Sequence, residues 1–183
     1  MMTDGTPLCV DLDGTLIAGD TLVLSLRQIA TRMPLKLAAV ALALFRGRAA
    51  FKRTVSDAAI PDPQAMPWRN EVVAFVRAEH ASGRRVILAT AADRRIADAV
   101  ASFLACFSDV IASDGITNAK GEAKIRAIRQ LLGDRAPFDY IGDSRADLPI
   151  FATARIAYLV APDRALHHQV ADVSTIGRIF DHT

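Results

Sequence analysis

Short apolar runs alternate with segments of helical periodicity along most of the chain. Five runs predict strands, and three segments between them repeat apolar residues at the three- and four-residue spacing of a helix. The predicted strands are Leu8–Asp11, Val86–Thr90, Val110–Ser113, Tyr140–Gly142 and Ile156–Val160. The predicted helices are Glu71–Ala81, Asp93–Leu104 and Glu122–Leu132. This alternation predicts an α/β fold, in which helices cover both faces of a parallel sheet.

The connection between the first two strands breaks this alternation. It is roughly seventy residues long, far more than one crossover helix uses. Its apolar spacing predicts three helices, at Thr21–Arg32, Leu35–Phe45 and Ala49–Ala59. We therefore predict a small helical cap, residues 19–67, inserted into a core domain formed by residues 1–18 and 68–183. A few additional packing helices are the alternative.

Two aspartates stand at the end of the first predicted strand. The run Pro7–Leu16 reads PLCVDLDGTL, so Asp11 and Asp13 are separated by one residue and followed by Gly-Thr. The carboxyl ends of strands are the usual ligand edge of an open α/β sheet. Two carboxylates there repel each other unless a cation joins them, and Mg²⁺ prefers such oxygen ligands. A carboxylate can also act as a covalent nucleophile toward phosphoryl groups. The alternative interpretation of the segment is a strand followed by a simple Asp-Gly turn.

The second and fourth predicted strands also end in polar groups. Thr90 ends the second strand and Ala91 follows it, where a hydroxyl and free N–H groups at a helix start predict an anion site. Thr90 as a plain helix cap is the alternative. Asp143 and Asp147 follow the fourth strand, so Asp143 is a candidate metal ligand. Asp147 is a candidate for orienting a metal-bound water or a lysine, and an Asp-Ser turn with a helix cap is the alternative.

A lysine near the same edge could balance the charge of a phosphoryl group. The segment 118–124 offers two, because Lys120 precedes a predicted helix and Lys124 lies in its first turn. The sequence leaves open which of them belongs to the site. Exposed lysines are usually solvated surface groups, which is the alternative for either residue.

Composition restricts the class of protein. The chain has 183 residues, 51% of them hydrophobic, and a formal net charge of +2, which predicts a globular protein without a nucleic-acid partner. Cys9 and Cys106 lie in apolar surroundings, which predicts buried free thiols and a reducing, cytoplasmic location. Leu35–Phe45 is too short to span a membrane, so we expect a core or groove helix, with an interfacial helix as the alternative.

Four segments carry a resemblance to a known family: those around Asp11 and Asp13, at Thr90, at 118–124 and around Asp143. With these segments in this order, the chain resembles the haloacid dehalogenase (HAD) superfamily of phosphohydrolases over essentially its whole length. The resemblance implies a Rossmann-like parallel sheet with a small helical cap after the first strand. It implies that Asp11 is the nucleophile that forms an aspartyl-phosphate, and that Asp13 is the general acid and base. Thr90 and Ala91 would then hold the phosphoryl oxygens, with Lys120 or Lys124 balancing charge. Asp11, Asp143 and the backbone carbonyl of Asp13 would bind Mg²⁺.

Two closer resemblances compete within the superfamily. The segment NAKGE at 118–122 resembles phosphoserine phosphatases, whose cap carboxylate falls at Asp20 in this chain. The segments RGRAA at 46–50, LATAADRR at 88–95 and SRADL at 144–148 resemble the HAD domain fused to UbiA-type membrane prenyltransferases. The second resemblance implies a functional association with such a membrane enzyme, as a free-standing relative or as one domain of it.

The sequence therefore predicts a Mg²⁺-dependent phosphatase that acts on a small phosphomonoester through an aspartyl-phosphate on Asp11. A phosphotransferase, in which a second hydroxyl accepts the phosphoryl group, is one alternative. A regulatory or docking module of a membrane prenyltransferase is the other. The substrate and the oligomeric state stay open.

Overall fold

The computed structural model describes residues 5–114 and 119–181, apart from the side chains of residues 48 and 49. Within these residues, six strands form one sheet. The strands are β1 (Leu8–Val10), β2 (Val86–Asp93), β3 (Asp109–Ser113), β4 (Asp139–Gly142), β5 (Ile156–Val160) and β6 (Thr175–Phe180). The α-helices of the described residues are α1 (Thr21–Arg32), α2 (Leu37–Ala43), α3 (Arg48–Ala58), α4 (Asn70–Ala81), α5 (Arg94–Leu104), α6 (Glu122–Leu132), α7 (Leu148–Phe151) and α8 (Arg164–Ala171).

All neighbouring strands of the sheet are parallel, in the order β3-β2-β1-β4-β5-β6. In register, Leu8 of β1 pairs with Val86 on one side and with Asp139 on the other. The chain therefore builds outward from β1 in one direction and then returns to add β4 on the other side. The crevice beyond the carboxyl ends of the strands at such a reversal is where open α/β sheets bind ligands.

Alternation along each strand divides the core into two layers. Leu8 and Val10 point into the layer that α4 and α5 cover, whereas Cys9 points into the layer covered by α6, α7 and α8. Because β1 is buried on both faces, its sequence is a continuous apolar run rather than an alternating one. Cys9 and Cys106 are both buried and free, as predicted. Burial raises the pKa of the Cys9 thiol to about 12.

The helices α1, α2 and α3 pack around a small hydrophobic cluster of their own, formed by Ile29, Val40, Val55 and Ala59. The chain leaves the sheet domain and returns to it at one place, where the Ala18 N–H donates to the Pro67 carbonyl at 2.8 Å. We call residues 19–67, which contain these three helices, the helical insert.

The structure differs from the predicted elements at the end of β2, around α2 and at β6, and the helices α7 and α8 were not predicted. β2 runs on to Asp93, so α5 begins at Arg94 and is capped by Asp93, whose Oδ1 accepts from the Arg95 N–H at 3.1 Å. The predicted helix Leu35–Phe45 is the α-helix α2 between two 3₁₀ turns, Pro34–Lys36 and Leu44–Arg46. β6 was not predicted, because this edge strand is mostly exposed and shows no apolar run.

Candidate active site

The D-x-D-G-T segment leaves β1 in a tight turn at the centre of the sheet edge. The Leu12 carbonyl accepts the N–H groups of Leu16 at 2.9 Å and Ile17 at 3.1 Å, while the Gly14 N–H donates to the Gly19 carbonyl at 2.8 Å. Gly14 has a φ of +77°, which a residue with a Cβ adopts only under strain. A Cβ at this position would also overlap the Asp143 carboxylate, so glycine is required twice over.

Asp11 and Asp143 meet because β1 and β4 are neighbours. The Asp11 N–H donates to the Ile141 carbonyl at 3.0 Å, which continues the β1–β4 pairing up to the site. One carboxylate oxygen each from Asp11, Asp143 and Asp147 lies within 4.8 Å of the others. The Thr15 hydroxyl donates to Asp143 Oδ1 at 2.8 Å and orients that carboxylate. Burial raises the pKa of Asp143 to about 7, and repulsion from Asp11 and Asp147 adds to the shift.

Lys124 is the lysine that reaches the acidic cluster. It lies in the first turn of α6, is 1% exposed, and places Nζ 3.0 Å from Asp11 Oδ2 and 3.7 Å from Asp147 Oδ1. Burial alone lowers the pKa of Lys124, but Asp11 and Asp147 outweigh it and hold the pKa above its usual value. Lys120 is exposed and lines the same cleft. Of the two candidates that the sequence left open, the structure brings Lys124 to Asp11.

Asp13 occupies a different position from the three clustered carboxylates. Its Oδ1 accepts the N–H of Thr21, the first residue of α1, at 2.7 Å. This hydrogen bond connects the sheet edge to the helical insert. Burial raises the pKa of Asp13 to about 6, against the opposing effect of the Thr21 hydrogen bond.

Thr90 and Ala91 lie on the other side of β1, near the end of β2. Thr90 is fully buried, and its hydroxyl oxygen accepts the N–H of Ala92 at 3.0 Å. Ala91 lines the cleft, and its carbonyl accepts from Lys52 Nζ at 2.7 Å and from the Ser113 hydroxyl at 2.9 Å. The backbone of Ala91 is therefore held in place from both the insert and β3.

Asp20 lies at the boundary between the insert and the sheet domain. Its Oδ1 accepts the N–H groups of Leu22 at 2.8 Å and Val23 at 3.2 Å, so it caps the start of α1. Its side chain also lines the cleft, which is the location expected for a residue that contacts a substrate.

Sequence reasoning missed three residues of the site. Lys52, on α3, reaches from the insert into the cleft, and nothing in its local sequence distinguishes it from a surface lysine. Tyr140 is fully buried in β4, where its hydroxyl accepts from Lys124 Nζ at 2.9 Å. Asp93 lines a small pocket beside the cleft, together with Asp13 and Lys52. It is 2% exposed, and its Oδ2 has no hydrogen-bond partner among the described residues. Asp93 follows an apolar run, as Asp11 and Asp143 do, and this position could have identified it from the sequence.

The cleft at this edge of the sheet has a volume of about 220 Å³, and more acidic than basic side chains line it. Its lining residues are Asp11, Asp13, Asp20, Lys52, Ala91, Lys120, Lys124, Asp143, Ser144, Ala146 and Asp147. Five carboxylates face three lysines, which leaves a formal charge of −2. A divalent cation ligated by oxygen atoms would neutralise this excess and relieve the repulsion among Asp11, Asp143 and Asp147. The donor set therefore fits a hard cation such as Mg²⁺.

The sheet order, the insert after β1 and this acidic edge together define a known class of hydrolase. The sequence profile of the haloacid dehalogenase-like hydrolases matches residues 8–152. The chain therefore belongs to this family, as the motifs predicted.

One curated protein matches most of this chain. The uncharacterised protein y4nM of Sinorhizobium fredii is 37% identical over 154 residues, which cover 84% of this chain and 30% of that protein. The chain thus spans less than a third of the length of this relative.

Solved structures share the fold. A protein of unknown function from Bordetella pertussis Tohama I matches with a TM-score of 0.70 and 19% identity, over 95% of this chain and 98% of that one. A phosphoserine phosphatase solved as a phospho-aspartyl intermediate analogue matches with a TM-score of 0.61 and 14% identity, over 98% and 95% of the two chains. The predicted Rossmann-like α/β fold is confirmed.

Proposed function

We propose that the chain is a Mg²⁺-dependent phosphatase that hydrolyses a small phosphomonoester through an aspartyl-phosphate on Asp11. The observation that carries the proposal is the buried contact between Lys124 Nζ and Asp11 Oδ2 at 3.0 Å, beside the carboxylates of Asp143 and Asp147. A buried lysine beside a carboxylate nucleophile lowers the charge that an incoming phosphoryl dianion meets. Family membership and the fold shared with a phosphoserine phosphatase support the same reaction.

In the first step, a carboxylate oxygen of Asp11 attacks phosphorus and forms a P–O bond, while the bond from phosphorus to the ester oxygen breaks. The leaving alkoxide takes a proton from the Asp13 carboxylic acid. The raised pKa of Asp13, about 6, suits a group that supplies a proton near neutral pH. The hydrogen bond from Leu12 N–H to Asp11 Oδ1, at 2.8 Å, orients the attacking carboxylate.

In the second step, the Asp13 carboxylate takes a proton from a water molecule, whose oxygen attacks the phosphorus of the aspartyl-phosphate. The bond between Asp11 and phosphorus breaks, so inorganic phosphate is released, Asp11 is again a carboxylate and Asp13 is again a carboxylic acid. Thr90 and Ala91 are the proposed partners of the phosphoryl oxygens in both steps. Lys124 is the proposed counter-charge, and Lys120 at the mouth of the cleft attracts the anionic substrate.

Asp11, Asp143 and the backbone carbonyl of Asp13 are the proposed Mg²⁺ ligands. The bound cation would offset negative charge on the phosphoryl oxygens and on the clustered carboxylates. Asp147 lies within reach of the same position and also 3.7 Å from Lys124 Nζ, so it orients the lysine.

The helical insert, residues 19–67, is the proposed cap over this site. Lys52 and Asp20 project from it into the cleft, and the hydrogen bond from Lys52 Nζ to the Ala91 carbonyl joins it to the sheet domain. A cap that closes on the substrate keeps bulk water out during the first step. The residues that it contributes would select the leaving group.

The test is phosphate release from a panel of phosphomonoesters, with Mg²⁺ or with a chelator, by the wild-type chain and by Asp11→Asn. The panel contains p-nitrophenyl phosphate, phosphoserine, sugar phosphates and prenyl phosphates. We expect release that requires both Mg²⁺ and Asp11, and a folded Asp11→Asn protein with no turnover. Full activity in that variant would overturn the assignment of the nucleophile. Phosphate release that falls on adding an alcohol, with a phosphorylated alcohol formed instead, would identify a phosphotransferase.

A further inference from the structure

The insert carries a helical segment that is apolar on every side and yet mostly exposed. From Leu37 to Phe45 no residue has a polar side chain, although in this stretch only Val40 and Ala43 are buried. Val40 packs into the cluster that holds α1, α2 and α3 together. A helix that is apolar all round is ordinarily covered by protein or by lipid.

This segment and Leu35, two residues before it, expose several large apolar side chains. We call the apolar surface the set Leu35, Leu37, Leu42, Leu44 and Phe45, which are 94%, 39%, 66%, 58% and 89% exposed. Among the described residues outside the insert, no large hydrophobic side chain is more than 48% exposed. Single exposed apolar residues are common on soluble proteins, whereas several large ones within one short segment indicate an interaction surface.

The same part of the chain is strongly basic. Residues 21–56 contain seven lysines and arginines and no aspartate or glutamate. The whole chain has a net charge of only +2, so the remaining residues carry −5. Lys36 stands between Leu35 and Leu37, and Arg46 follows Phe45, so exposed cations lie next to the apolar side chains near both ends of the segment.

We propose that the apolar surface, with Lys36 and Arg46, binds the interface of an anionic lipid bilayer. The segment 34–46 would lie in the plane of the membrane, with its leucines and Phe45 in the acyl boundary and its cations at the headgroup phosphates. Charge complementarity selects this occupant. A second copy of the chain would place Lys36 and Arg46 opposite the same cations of its partner and be repelled, whereas an anionic bilayer attracts the cations and accepts the apolar side chains.

The apolar surface is separate from the residues that line the cleft. α2 packs on α1 and α3 through Val40, Ile29 and Val55, and α3 also carries Lys52 into the cleft. Within the insert, α3 therefore contacts the sheet domain through Lys52, whereas the exposed side chains around α2 are accessible to a membrane. The proposal does not depend on the chemistry at Asp11.

The experiment is flotation of the full chain with vesicles of phosphatidylcholine alone or with added phosphatidylglycerol, at low and high salt. We expect binding to the anionic vesicles that weakens with salt. Leu42→Gln/Phe45→Gln should lower the partition coefficient on the order of tenfold or more, since each apolar side chain is worth more than one CH₂ group. Lys36→Gln/Arg46→Gln should lower it on the order of tenfold, and only on anionic vesicles.

Matched controls alter the same residue types elsewhere. Leu131→Gln/Val173→Gln and Arg126→Gln/Arg164→Gln change exposed positions on the sheet domain and should leave flotation unchanged. Thermal unfolding followed by circular dichroism establishes that every variant is folded. Failure of the folded wild-type chain to float with anionic vesicles would overturn the proposal. So would sedimentation showing a dimer that Leu42→Gln/Phe45→Gln dissociates, because a second copy would then cover the surface.

Discussion

Lys124 Nζ lies 3.0 Å from Asp11 Oδ2, and the lysine side chain is almost completely buried at this contact. Asp11 follows β1, whereas Lys124 lies on α6, in the connection between β3 and β4. Their approach makes the Asp11 carboxylate part of a charge-balanced pair. Two acidic neighbours, Asp143 and Asp147, surround the pair.

The first prediction separates the two lysines of the sequence motif. Lys124→Met should reduce kcat on the order of 10²–10³-fold, because it removes the positive charge next to the reacting carboxylate. Lys120→Met should cause a much smaller loss, since Lys120 is exposed at the mouth of the cleft. The measurement is Mg²⁺-dependent phosphate release at saturating substrate. An equal or larger loss in Lys120→Met would contradict the assignment.

The second prediction concerns the turn after Asp13. Gly14→Ala should abolish activity, because the new methyl group would displace the Asp143 carboxylate and the φ of +77° would be strained. Gly83→Ala is the matched control, since Gly83 has a φ of +86° but open space around its Cβ position. It should lose about 1–2 kcal/mol of stability and keep its activity. Normal Mg²⁺-dependent turnover in Gly14→Ala would show that Asp143 is free to move.

The third prediction tests the connection between the insert and the sheet domain. Lys52→Gln should lower kcat/KM about tenfold, mainly through KM, because a charge-assisted hydrogen bond to the Ala91 carbonyl is lost at the substrate cleft. Arg27→Gln removes an exposed cation from the same insert and serves as the control. Steady-state kinetics on the best substrate of the panel make the comparison. A loss confined to kcat would instead place Lys52 among the groups that act on the transition state.

The fourth prediction concerns stability at the opposite, amino end of the strands. Asp139 is fully buried and accepts from Arg155 Nε at 2.9 Å, from the Ile156 N–H at 3.2 Å and from a second arginine, Arg84. Asp139→Asn should lower the free energy of unfolding by about 3 kcal/mol. The variant removes the negative charge that balances the buried guanidinium of Arg84.

The control for this prediction is an exposed ion pair. Arg94 and Asp98 are each about half exposed, so Asp98→Asn should cost less than about 1 kcal/mol. Urea unfolding measures both variants, and phosphate release should be unchanged in each. If Asp139→Asn is no less stable than Asp98→Asn, the buried network contributes nothing to the fold.

The sequence predicted the elements whose local pattern is strong. The core strands β1, β2 and β4 are continuous apolar runs because both of their faces are buried, and a polar residue marks the point where each reaches solvent. The exposed edge strand β6 has no such pattern, and it was missed. The end of β2 was also placed too early, because small residues such as Ala91 and Ala92 fit a strand and a helix equally well.

The candidate site divides in the same way. Asp11, Asp13 and Asp143 could be proposed from sequence because each follows a buried strand, and parallel strands bring their carboxyl ends to one edge. The choice of Lys124 over Lys120, the contact of Tyr140 with that lysine and the entry of Lys52 into the cleft depend on how α6 and the insert pack on the sheet. Packing directions are set by contacts between residues far apart in the chain. The sequence alone therefore determined which strand ends carry the acidic groups, and only the tertiary structure decided which cations meet them.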